Sequence, residues 1–586
     1  MCGIIGYIGN NVEQKLLKGL EKLEYRGYDS AGLCVLRHGN FYVEKSKGSV
    51  EKLREKTCVK SEFGLGIAHT RWATHGKITI ENAHPHFSSK GEVALVHNGI
   101  IENFEELKSA LEEKGVYFYG ETDSEVAAKL LSGRLSLKKI QNLVEKIKGT
   151  YAFAIISKKN NSIYFAKNKS PLYVAIGKDC SMIASDPSCF VGVCDSFYPV
   201  DDGEYGKLDL KKVVFIDKHD KVVLKKSKKL DIDYFVDGKN GYEHFMLKEI
   251  YESKNVLGNI IQNYSSPLYK KLLEKVTEID FNRVYFVGCG TAYHAGLIGQ
   301  RYFMNNIKKD VFCERASEFS YQNRILDQKS LCVFISQSGE TIDTIASLDY
   351  AKRCGAKIVS ITNVSYSTIA CKADINLPIF AGPEIAVAST KAFVGQCAVL
   401  FLLSKVLSGQ NYIDDLVSLK EDLDFGDDEK LKRFAKKLAS EEKVLFIGRG
   451  FDYITSLEAS LKLKEISYIN SIVEPSGELK HGPIALVEEG TILVVLATES
   501  ELFIKTINNA YETKSRGAKL CLVTNQSVTE TIQKEFDYVF KVKNTTSELM
   551  PVQTIVLLQK LAYYVAVTKK TNPDKPRNLA KSVTVE

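Results

Sequence analysis

The first residues that could do chemistry stand at the start of the chain, Met1-Cys2-Gly3. Methionine is commonly removed before a small second residue, which would leave Cys2 with a thiol and a free α-amine on one residue. Such an amine has a pKa of about 7.7–8.0, so it can act as a neutral base at cellular pH. The pattern is compatible with a cysteine nucleophile activated by its own amine, and on this residue alone an inert cysteine is the alternative.

Other polar residues of the N-terminal region fit such a nucleophile. Asn98-Gly99 follows an apolar, strand-like run, where a side-chain amide and a backbone N–H can face a developing oxyanion. Arg71 and Asp123 could hold the carboxylate and the amino group of a free amino acid. On spacing alone two alternatives stay open, an ordinary tight turn at Asn98-Gly99 and a helix-start acid at Asp123.

These motifs resemble the glutamine amidotransferase domain of the N-terminal-nucleophile hydrolases, whose fold is an α+β sandwich of αββα layers. The resemblance is carried by Cys2-Gly3-Ile4, Arg26–Ser30, His69–Gly76, Asn98-Gly99 and Gly120–Ser124. It implies that Cys2 attacks the carboxamide of glutamine and that Asn98 and Gly99 form the oxyanion hole. It further implies glutamine binding by Arg71, Thr74, His75, Gly99 and Asp123, and an ammonia gate at Trp72 and Arg26.

The C-terminal half contains an internal repeat. Val284–Gly290 matches Val444–Gly450 at an offset of 160, and the later landmarks recur in the same order at offsets of 160 to 164. Each copy alternates short Val- and Ile-rich runs with amphipathic stretches, which predicts a doubly wound parallel sheet. Ligands of such sheets bind at the carboxyl ends of the strands.

One strand end of the first copy is rich in hydroxyl groups. Ser336-Gln337-Ser338-Gly339-Glu340-Thr341 follows an apolar run and precedes a helical stretch. A helix N-terminus binds phosphate through its N–H groups, and hydroxyls add donors, so an anion site is favoured over a plain N-cap. The second copy has Thr498-Glu499-Ser500-Glu501 here, whose acids would repel phosphate.

The second copy and the tail carry a different set of reactive groups. Lys462 and Glu465 lie on one helical face, His481 stands in a glycine-rich loop, and Lys581 lies near the end of the chain. Without further context, a surface salt bridge between Lys462 and Glu465 and a frayed tail are the alternatives.

This half resembles sugar isomerase domains of flavodoxin-like fold, and the whole chain resembles the glutamine–fructose-6-phosphate aminotransferase (isomerizing) family. The resemblance implies formation of glucosamine 6-phosphate and glutamate from fructose 6-phosphate and glutamine, without a metal or organic cofactor. It assigns His481 to ring opening, Lys581 to a Schiff base, and Glu465 with Lys462 to proton transfer between C1 and C2. It implies phosphate binding by Ser336, Gln337, Ser338 and Thr341, and sugar binding by Thr291, Val387, Ala388 and Ser389.

The chain departs from the family pattern at Ala292, where a serine is usual. One phosphate hydroxyl is then missing, and a backbone N–H is the expected substitute. The resemblance also implies a homodimer in which a neighbouring subunit completes the sugar site; the role of His294 stays open.

Composition bounds the other possibilities. The net charge is +7 over 586 residues, too weak for a typical nucleic-acid protein, and the run Lys225–Lys229 is interpreted as a solvated linker. Thirteen cysteines without a C-x-x-C pattern indicate a reducing cytoplasm. No apolar stretch predicts a membrane span. No cysteine pair or H-E-x-x-H pattern supports a metal at the histidines 69, 75, 84, 86 and 97.

The sequence therefore predicts four parts: an amidotransferase domain over residues 1–238, sugar isomerase domains over 239–425 and 426–572, and a catalytic tail over 573–586. Two other functions are considered, an enzyme of different phosphosugar chemistry such as deglycation, and a phosphosugar-binding regulator. The joint presence of Cys2 and Lys581 disfavours a regulator, and Glu465, His481 and Lys581 together favour isomerisation.

Overall fold

The computed structural model describes residues 2–24, 27–60, 62–72, 76–230 and 238–583. The chain divides into two compact units, residues 1–236 with 582–586, and residues 237–581.

The first unit is built on two antiparallel sheets. Its strands are β1 (Gly3–Asn10), β2 (Ser30–Arg37), β3 (Asn40–Lys47), β4 (Phe63–Arg71), β5 (His86–Phe87), β6 (Val93–Ile101), β7 (Gly149–Ser157), β8 (Ile163–Asn168), β9 (Tyr173–Ile176), β10 (Ser181–Ala184), β11 (Ser196–Pro199), β12 (Tyr205–Asp209), β13 (Lys212–Ile216), β14 (Val222–Val223) and β15 (Lys228–Lys229). Its helices are α1 (Val12–Leu23), α2 (Val50–Lys56), α3 (Phe104–Glu112), α4 (Asp123–Lys129) and α5 (Leu137–Val144), with a short 3-10 turn at Pro187–Phe190.

The two sheets face each other across a shared apolar core. Their orders are β15-β11-β9-β10-β1-β4-β2-β3 and β14-β13-β12-β8-β7-β6-β5. Ile4 and Ile67 from one sheet pack with Ala154 and Phe165 from the other. Helices α1 and α2 cover the first sheet, and α4 and α5 cover the second. The predicted αββα sandwich is confirmed.

The basic run Lys225–Lys229 differs from the solvated linker that the sequence predicts. The Lys225 ammonium lies 2.6 Å from a carboxylate oxygen of Glu204, and its side chain is 10% exposed. Lys228 and Lys229 form β15 and pair with β11 at the sheet edge. The run is therefore part of the first unit, because Lys225 is paired with acids there and Lys228–Lys229 form an edge strand.

The second unit contains two parallel sheets with helices on both faces. The first copy has α6 (Phe245–Tyr264), α7 (Pro267–Thr277), β16 (Arg283–Gly288), α8 (Thr291–Asn306), β17 (Asp310–Arg315), α9 (Ala316–Phe319), β18 (Ser330–Ser336), α10 (Ile342–Arg353), β19 (Lys357–Thr362), α11 (Thr368–Lys372), β20 (Ile375–Pro378), α12 (Lys391–Leu407) and α13 (Ile413–Asp422). The second has α14 (Asp428–Leu438), β21 (Lys443–Gly448), α15 (Phe451–Ser467), β22 (Asn470–Pro475), β23 (Ile492–Leu496), α16 (Phe503–Lys514), β24 (Lys519–Thr524), α17 (Glu530–Lys534), β25 (Tyr538–Lys541) and α18 (Met550–Thr568), with 3-10 turns at Glu478–His481 and Pro483–Leu486.

Both sheets have the same strand order, β17-β16-β18-β19-β20 and β22-β21-β23-β24-β25, which confirms the predicted flavodoxin-like duplication. The copies also share a detail. The Asp374 carboxylate accepts a hydrogen bond from Ile358 N, and the Asp537 carboxylate accepts the equivalent bond from Leu520 N, each at 2.8 Å.

Helix α18 is long and apolar enough to cross a membrane by composition alone. However, 94% of its most apolar window is buried inside the protein. It packs against α14 and α15, so its apolar surface is used in the core of the second unit.

Candidate active sites

The Cys2 thiol lies at the start of β1, beside the end of β4. Trp72 N–H donates to the Cys2 sulfur at 3.3 Å, and the sulfur also lies 3.5 Å from Trp72 O. Burial raises the pKa of the thiol, while the Trp72 hydrogen bond and the Arg71 charge act against that rise. The thiol therefore needs a local base to become a nucleophile at neutral pH.

Asn98 and Gly99 lie on β6 next to this thiol. Asn98 Nδ2 donates to the backbone oxygen of Cys2 at 2.9 Å, and His69 Nε2 lies 3.1 Å from Asn98 Oδ1. Gly99 has φ +134°, and a Cβ there would come within 2.0 Å of Thr150 O. Both residues lie inside β6, paired with Ala152 and Tyr151 of β7, so the tight turn considered from the sequence is not formed. The strand fixes the Asn98 amide against the Cys2 backbone, and only glycine fits at position 99.

Arg71 and Asp123 are both buried near the thiol, and the charges of both act on it. Arg71 Nη1 and Nη2 donate to Lys77 O and Gly76 O, which orients the guanidinium. The Asp123 carboxylate accepts from Ile101 N at 2.8 Å at the first turn of α4. The ring of Trp72 packs edge-on against Tyr28. Arg26, Thr74 and His75 lie outside the described residues.

Three buried histidines form a cluster next to β6, which His69 contacts at His97 O and Asn98 Oδ1. The ring centroids of His69 and His84 are 3.9 Å apart, and those of His84 and His86 are 4.6 Å apart. Burial lowers the pKa of His69 to about 3 and lowers those of His84 and His86 as well. Within the described ranges, no group of three or more His, Cys, Asp or Glu side chains is arranged to hold a metal.

A cavity of about 150 Å³ opens at the carboxyl ends of the first parallel sheet. Residues from three distant parts of the second unit line it: the first repeat, the helix α15 of the second repeat, and the tail. Its wall includes Thr291, Ala292, Ser336, Gln337, Ser338, Thr341, Val387, Ser389, Gln396, Glu465 and Lys581. The structure therefore brings together most residues that the sequence assigns to a sugar phosphate.

The hydroxyl loop is folded tightly around Gly339. Gly339 N donates to Ser336 Oγ at 3.0 Å, and Ser336 Oγ lies 3.3 Å from Thr341 Oγ1. Gly339 has φ +67°, and a Cβ would come within 1.9 Å of the Ser367 hydroxyl. The loop therefore places several hydroxyls in front of α10, where they suit an anion better than a single cap would.

Lys581 projects from the tail into the cavity wall. Its ammonium lies 2.5 Å from Glu384 Oε2 and donates to Ala386 O at 2.8 Å. Burial alone would raise the pKa of Glu384, but Lys581 and hydrogen bonds from Thr390 and Ala392 lower it overall. The tail amine is held in one place by a buried carboxylate.

The tail is also fixed upstream of Lys581. The Asp574 carboxylate accepts hydrogen bonds from Phe245 N and Met246 N at 2.9 and 2.8 Å, which caps the start of α6. Asp574 O accepts from Val387 N at 3.0 Å. Residues 573–581 are thus an ordered part of the second unit, in contrast to the frayed end that composition alone would indicate.

Lys462 and Glu465 form a buried pair and do not form the surface salt bridge considered above. The Lys462 side chain is fully buried, and its ammonium lies 2.7 Å from Glu465 Oε2. Glu465 reaches the cavity, and Lys462 lies behind it. Burial works to lower the pKa of Lys462, but Glu458 first and then Glu465 raise it overall.

The structure differs from the prediction at three residues, Ala388, His481 and Ala292. Ala388 is buried in the core between the two residues that reach the cavity, Val387 and Ser389. His481 is exposed and is not part of the cavity wall. Ala292 lines the cavity, but its N–H donates to Cys289 O at 3.1 Å and so does not replace the missing serine hydroxyl.

Two buried acids of this site were missed by the sequence analysis. Glu384 stands just before Val387, and Glu458 stands one helical turn before Lys462. The spacing of Glu458, Lys462 and Glu465 at i, i+4 and i+7 was a usable signal, because it places all three on one face of a helix. Nothing in the sequence pairs Glu384 with Lys581, which lies 197 residues away.

Comparison with known proteins supports the family resemblance of both the N-terminal and the C-terminal half of the chain. Residues 69–192 match a glutamine amidotransferase domain, and residues 279–405 and 437–569 match the SIS domain. The chain is 42% identical over 614 residues to a Fusobacterium nucleatum protein named glutamine–fructose-6-phosphate aminotransferase (isomerizing), with 100% of both chains covered. It is 41% identical to a Staphylococcus aureus protein of the same name, again over the full length of both.

Among solved structures, the C-terminal domain of glucosamine-fructose-6-phosphate aminotransferase from Francisella tularensis aligns with 58% of this chain and 100% of its own. The TM-score is 0.53 at 35% identity. The full-length relatives, the paired domain matches and this structural likeness lead to one assignment. The chain belongs to the glutamine–fructose-6-phosphate aminotransferase (isomerizing) family.

Proposed function

We propose that this enzyme transfers the amide nitrogen of glutamine to fructose 6-phosphate and isomerises the product, giving glucosamine 6-phosphate and glutamate. The observation that carries this proposal is the cavity of the second unit. A hydroxyl loop suited to a phosphate, a buried amine at Lys581 and a carboxylate at Glu465 meet there. The names of the full-length relatives support the same reaction.

In the first unit, we propose that Cys2 attacks the glutamine carboxamide with its own α-amine as the base. The Asn98 amide and the Gly99 N–H stabilise the oxyanion, and water releases glutamate from the thioester after ammonia has left. Arg71 binds the α-carboxylate of glutamine, and Asp123 binds its ammonium. Thr74, His75, Trp72 and Arg26 keep the roles that the family resemblance implies.

In the second unit, Ser336, Gln337, Ser338 and Thr341 bind the phosphate. The Lys581 ammonium gives its proton to Glu384, and the free amine condenses with the C2 carbonyl of the open ketose, releasing water. Ammonia then replaces Lys581 at C2. Glu465 takes a proton from C1 and returns it to C2, a transfer that needs one base in reach of both carbons.

Sugar contacts are proposed for Thr291, Val387 and Ser389, with Ala388 shaping the same loop from behind. His481 is proposed to open the sugar ring. Because His481 lies outside the cavity wall of its own chain, we propose a homodimer in which the second copy supplies this imidazole. We place the enzyme in the cytoplasm, where its thirteen free thiols would stay reduced.

The test is an assay of purified protein with glutamine and fructose 6-phosphate, with glucosamine 6-phosphate and glutamate measured separately. We expect both products from the wild type. Cys2→Ala should abolish glutamate release, and Lys581→Met should abolish glucosamine 6-phosphate while glutamine hydrolysis continues at its basal rate. Intact protein that makes no amino sugar would contradict the proposal, as would loss of glutamine hydrolysis in the Lys581→Met variant.

A further inference from the structure

The centre that holds Lys462 extends beyond the cavity wall into the contact between α8 and α15. Glu458 lies at its middle, and its side chain is fully buried. Thr291 Oγ1 donates to Glu458 Oε1 at 3.0 Å, and His294 Nδ1 lies 2.7 Å from Glu458 Oε2. Both partners belong to helix α8 of the first repeat, while Glu458 belongs to α15 of the second repeat.

Lys462 closes this network on the side of the cavity. Its ammonium lies 3.4 Å from Glu458 Oε1, 2.9 Å from Thr291 Oγ1 and 2.7 Å from Glu465 Oε2. A buried ammonium needs compensating negative charge, or it loses its proton. Two carboxylates supply that charge. Glu465 contacts the ammonium on the side of the cavity, and Glu458 contacts it on the side of the protein interior.

We propose that Glu458 is a positioning residue of the isomerase centre, which bonds Thr291 and His294 of the first repeat and holds a charged Lys462 against Glu465 at the cavity wall. Glu458 itself does not line the cavity. Its role rests on the proposed function, because it acts through the carboxylate assigned to proton transfer. It also gives His294 a role, as the residue that fixes the second carboxylate oxygen.

The consequence for the reaction concerns the charge of Lys462. With Glu458 present, Glu465 faces a permanent ammonium and stays aligned with the substrate carbons. Without the Glu458 charge, Lys462 loses a stabilising partner and Glu465 loses its alignment. Other titratable groups that face this network are His294 on α8, the Cys397 thiol on α12 and Glu384, and all three stay unchanged in the variant below.

The test is Glu458→Gln in the full-length enzyme, with kcat and KM measured against fructose 6-phosphate from pH 6 to 10. We expect kcat for glucosamine 6-phosphate to fall about 10-fold to 100-fold, the loss typical of a misplaced catalytic group. KM should stay within about 2-fold, because the phosphate loop is untouched. The alkaline limb of kcat should move to lower pH, because Lys462 keeps only one carboxylate and loses its proton sooner. Basal glutamine hydrolysis should be unchanged.

Asp452→Asn is the matched control, since Asp452 is a buried acid on the same helix that bonds only the Thr498–Glu499 segment. It should leave the pH profile in place. His294→Asn and His294→Ala test the network without touching Glu458. The asparagine amide can donate where Nδ1 does, so it should restore most of the kcat that alanine loses.

Two results would overturn the role of Glu458 while leaving the proposed function intact. One is a Glu458→Gln enzyme with the kcat and pH profile of the wild type. The other is equal kcat for His294→Asn and His294→Ala together with a Glu458→Gln enzyme that loses both activities. A wild type that makes no glucosamine 6-phosphate would instead overturn the proposed function and this role with it.

Discussion

The two repeats of the second unit share a fold but differ at the place where a ligand would bind. At the offset of 160 residues, Ala292 of the first repeat corresponds to Asp452 of the second, and Gly339 corresponds to Glu499. The first repeat has small residues there and a cavity beside them. The second repeat fills the equivalent space with its own side chains.

Two carboxylates of the second repeat, those of Glu499 and Asp452, occupy this space and are hydrogen-bonded there. The Glu499 carboxylate accepts from Phe451 N at 2.5 Å, at the start of α15, where an external anion would otherwise bind. The Asp452 carboxylate accepts from Thr498 N at 2.7 Å and from Thr498 Oγ1 at 2.5 Å. The second repeat thus carries an internal anion, and its proposed contribution to the chemistry is the Lys462 and Glu465 end of α15. The two similar scaffolds differ in what occupies this place, a cavity in the first repeat and the side chains of Asp452 and Glu499 in the second.

The largest effect is expected when the first repeat receives a carboxylate at the place where the second repeat already has one. Ser338→Glu places a carboxylate in the phosphate loop and removes a hydroxyl donor. Like charges brought together cost several kcal/mol, so we expect KM for fructose 6-phosphate to rise about 1,000-fold. Steady-state kinetics would measure it, with glutamine hydrolysis as the internal reference.

The matched control is Glu499→Gln in the second repeat, which removes the internal anion from the equivalent place. KM for fructose 6-phosphate should stay at the wild-type value. A rise in KM for Glu499→Gln as large as that for Ser338→Glu would show that both repeats bind the sugar phosphate, and the contrast drawn here would be wrong.

A second prediction concerns pH. Burial raises the pKa of Asp452 to about 6, above its value in an unfolded chain. The folded state therefore binds the proton more tightly, and this stabilisation is complete below about pH 4 and is lost as the pH rises to 6. The loss amounts to about 3 kcal/mol.

Urea unfolding of the wild type and of Asp452→Asn at pH 4 and pH 7 would measure it. The stability of the variant relative to the wild type should rise by about 3 kcal/mol between these pH values. Ala292 cannot titrate, so the first repeat has no counterpart to this effect. An identical difference at both pH values would contradict the prediction.

The smallest predicted effect tests what the repeats still share. Asp374→Ala and Asp537→Ala each leave a strand N–H, at Ile358 and Leu520, without its acceptor. Each should cost about 1–3 kcal/mol in the free energy of unfolding, with equal values for the two repeats. Unequal losses in thermal or urea unfolding would mean that the scaffolds have diverged as well as the sites.

The sequence predicted the architecture well because both sheets follow from local signals. Repeated Val- and Ile-rich runs at a constant offset predict the parallel sheets, whereas the αββα sandwich was implied by the family resemblance that the ordered N-terminal motifs carry. The cavity followed from the rule that ligands bind at strand ends, which pointed to the loop after Ile335. Lys581 was assigned to the same site only through the family resemblance, because the tail has no hydrophobic periodicity from which its position could be predicted.

What the sequence could not give depends on long-range packing. Glu384 meets Lys581 across 197 residues, and Glu458 meets His294 across 164. His481 likewise lies in the 3-10 turn at Glu478–His481, exposed and outside the cavity wall, a placement that its residue type does not indicate. An acid in a sequence is normally assigned to the surface, because a buried carboxylate is stable only when it is paired. Its burial can therefore be predicted only when its partner is known.

The anchored tail sets the order in which the two activities can arise during synthesis. The residues proposed for the glutamine site lie between Cys2 and Asp123, but the strands that pair with theirs extend to β10 (Ser181–Ala184), and the strands of this unit extend to Lys229. The proposed sugar site includes Lys581, and the cap on α6 needs Asp574, both among the last residues to leave the ribosome. A product truncated within the second unit would therefore keep the strands of the proposed glutaminase and lack Lys581 of the proposed acceptor site.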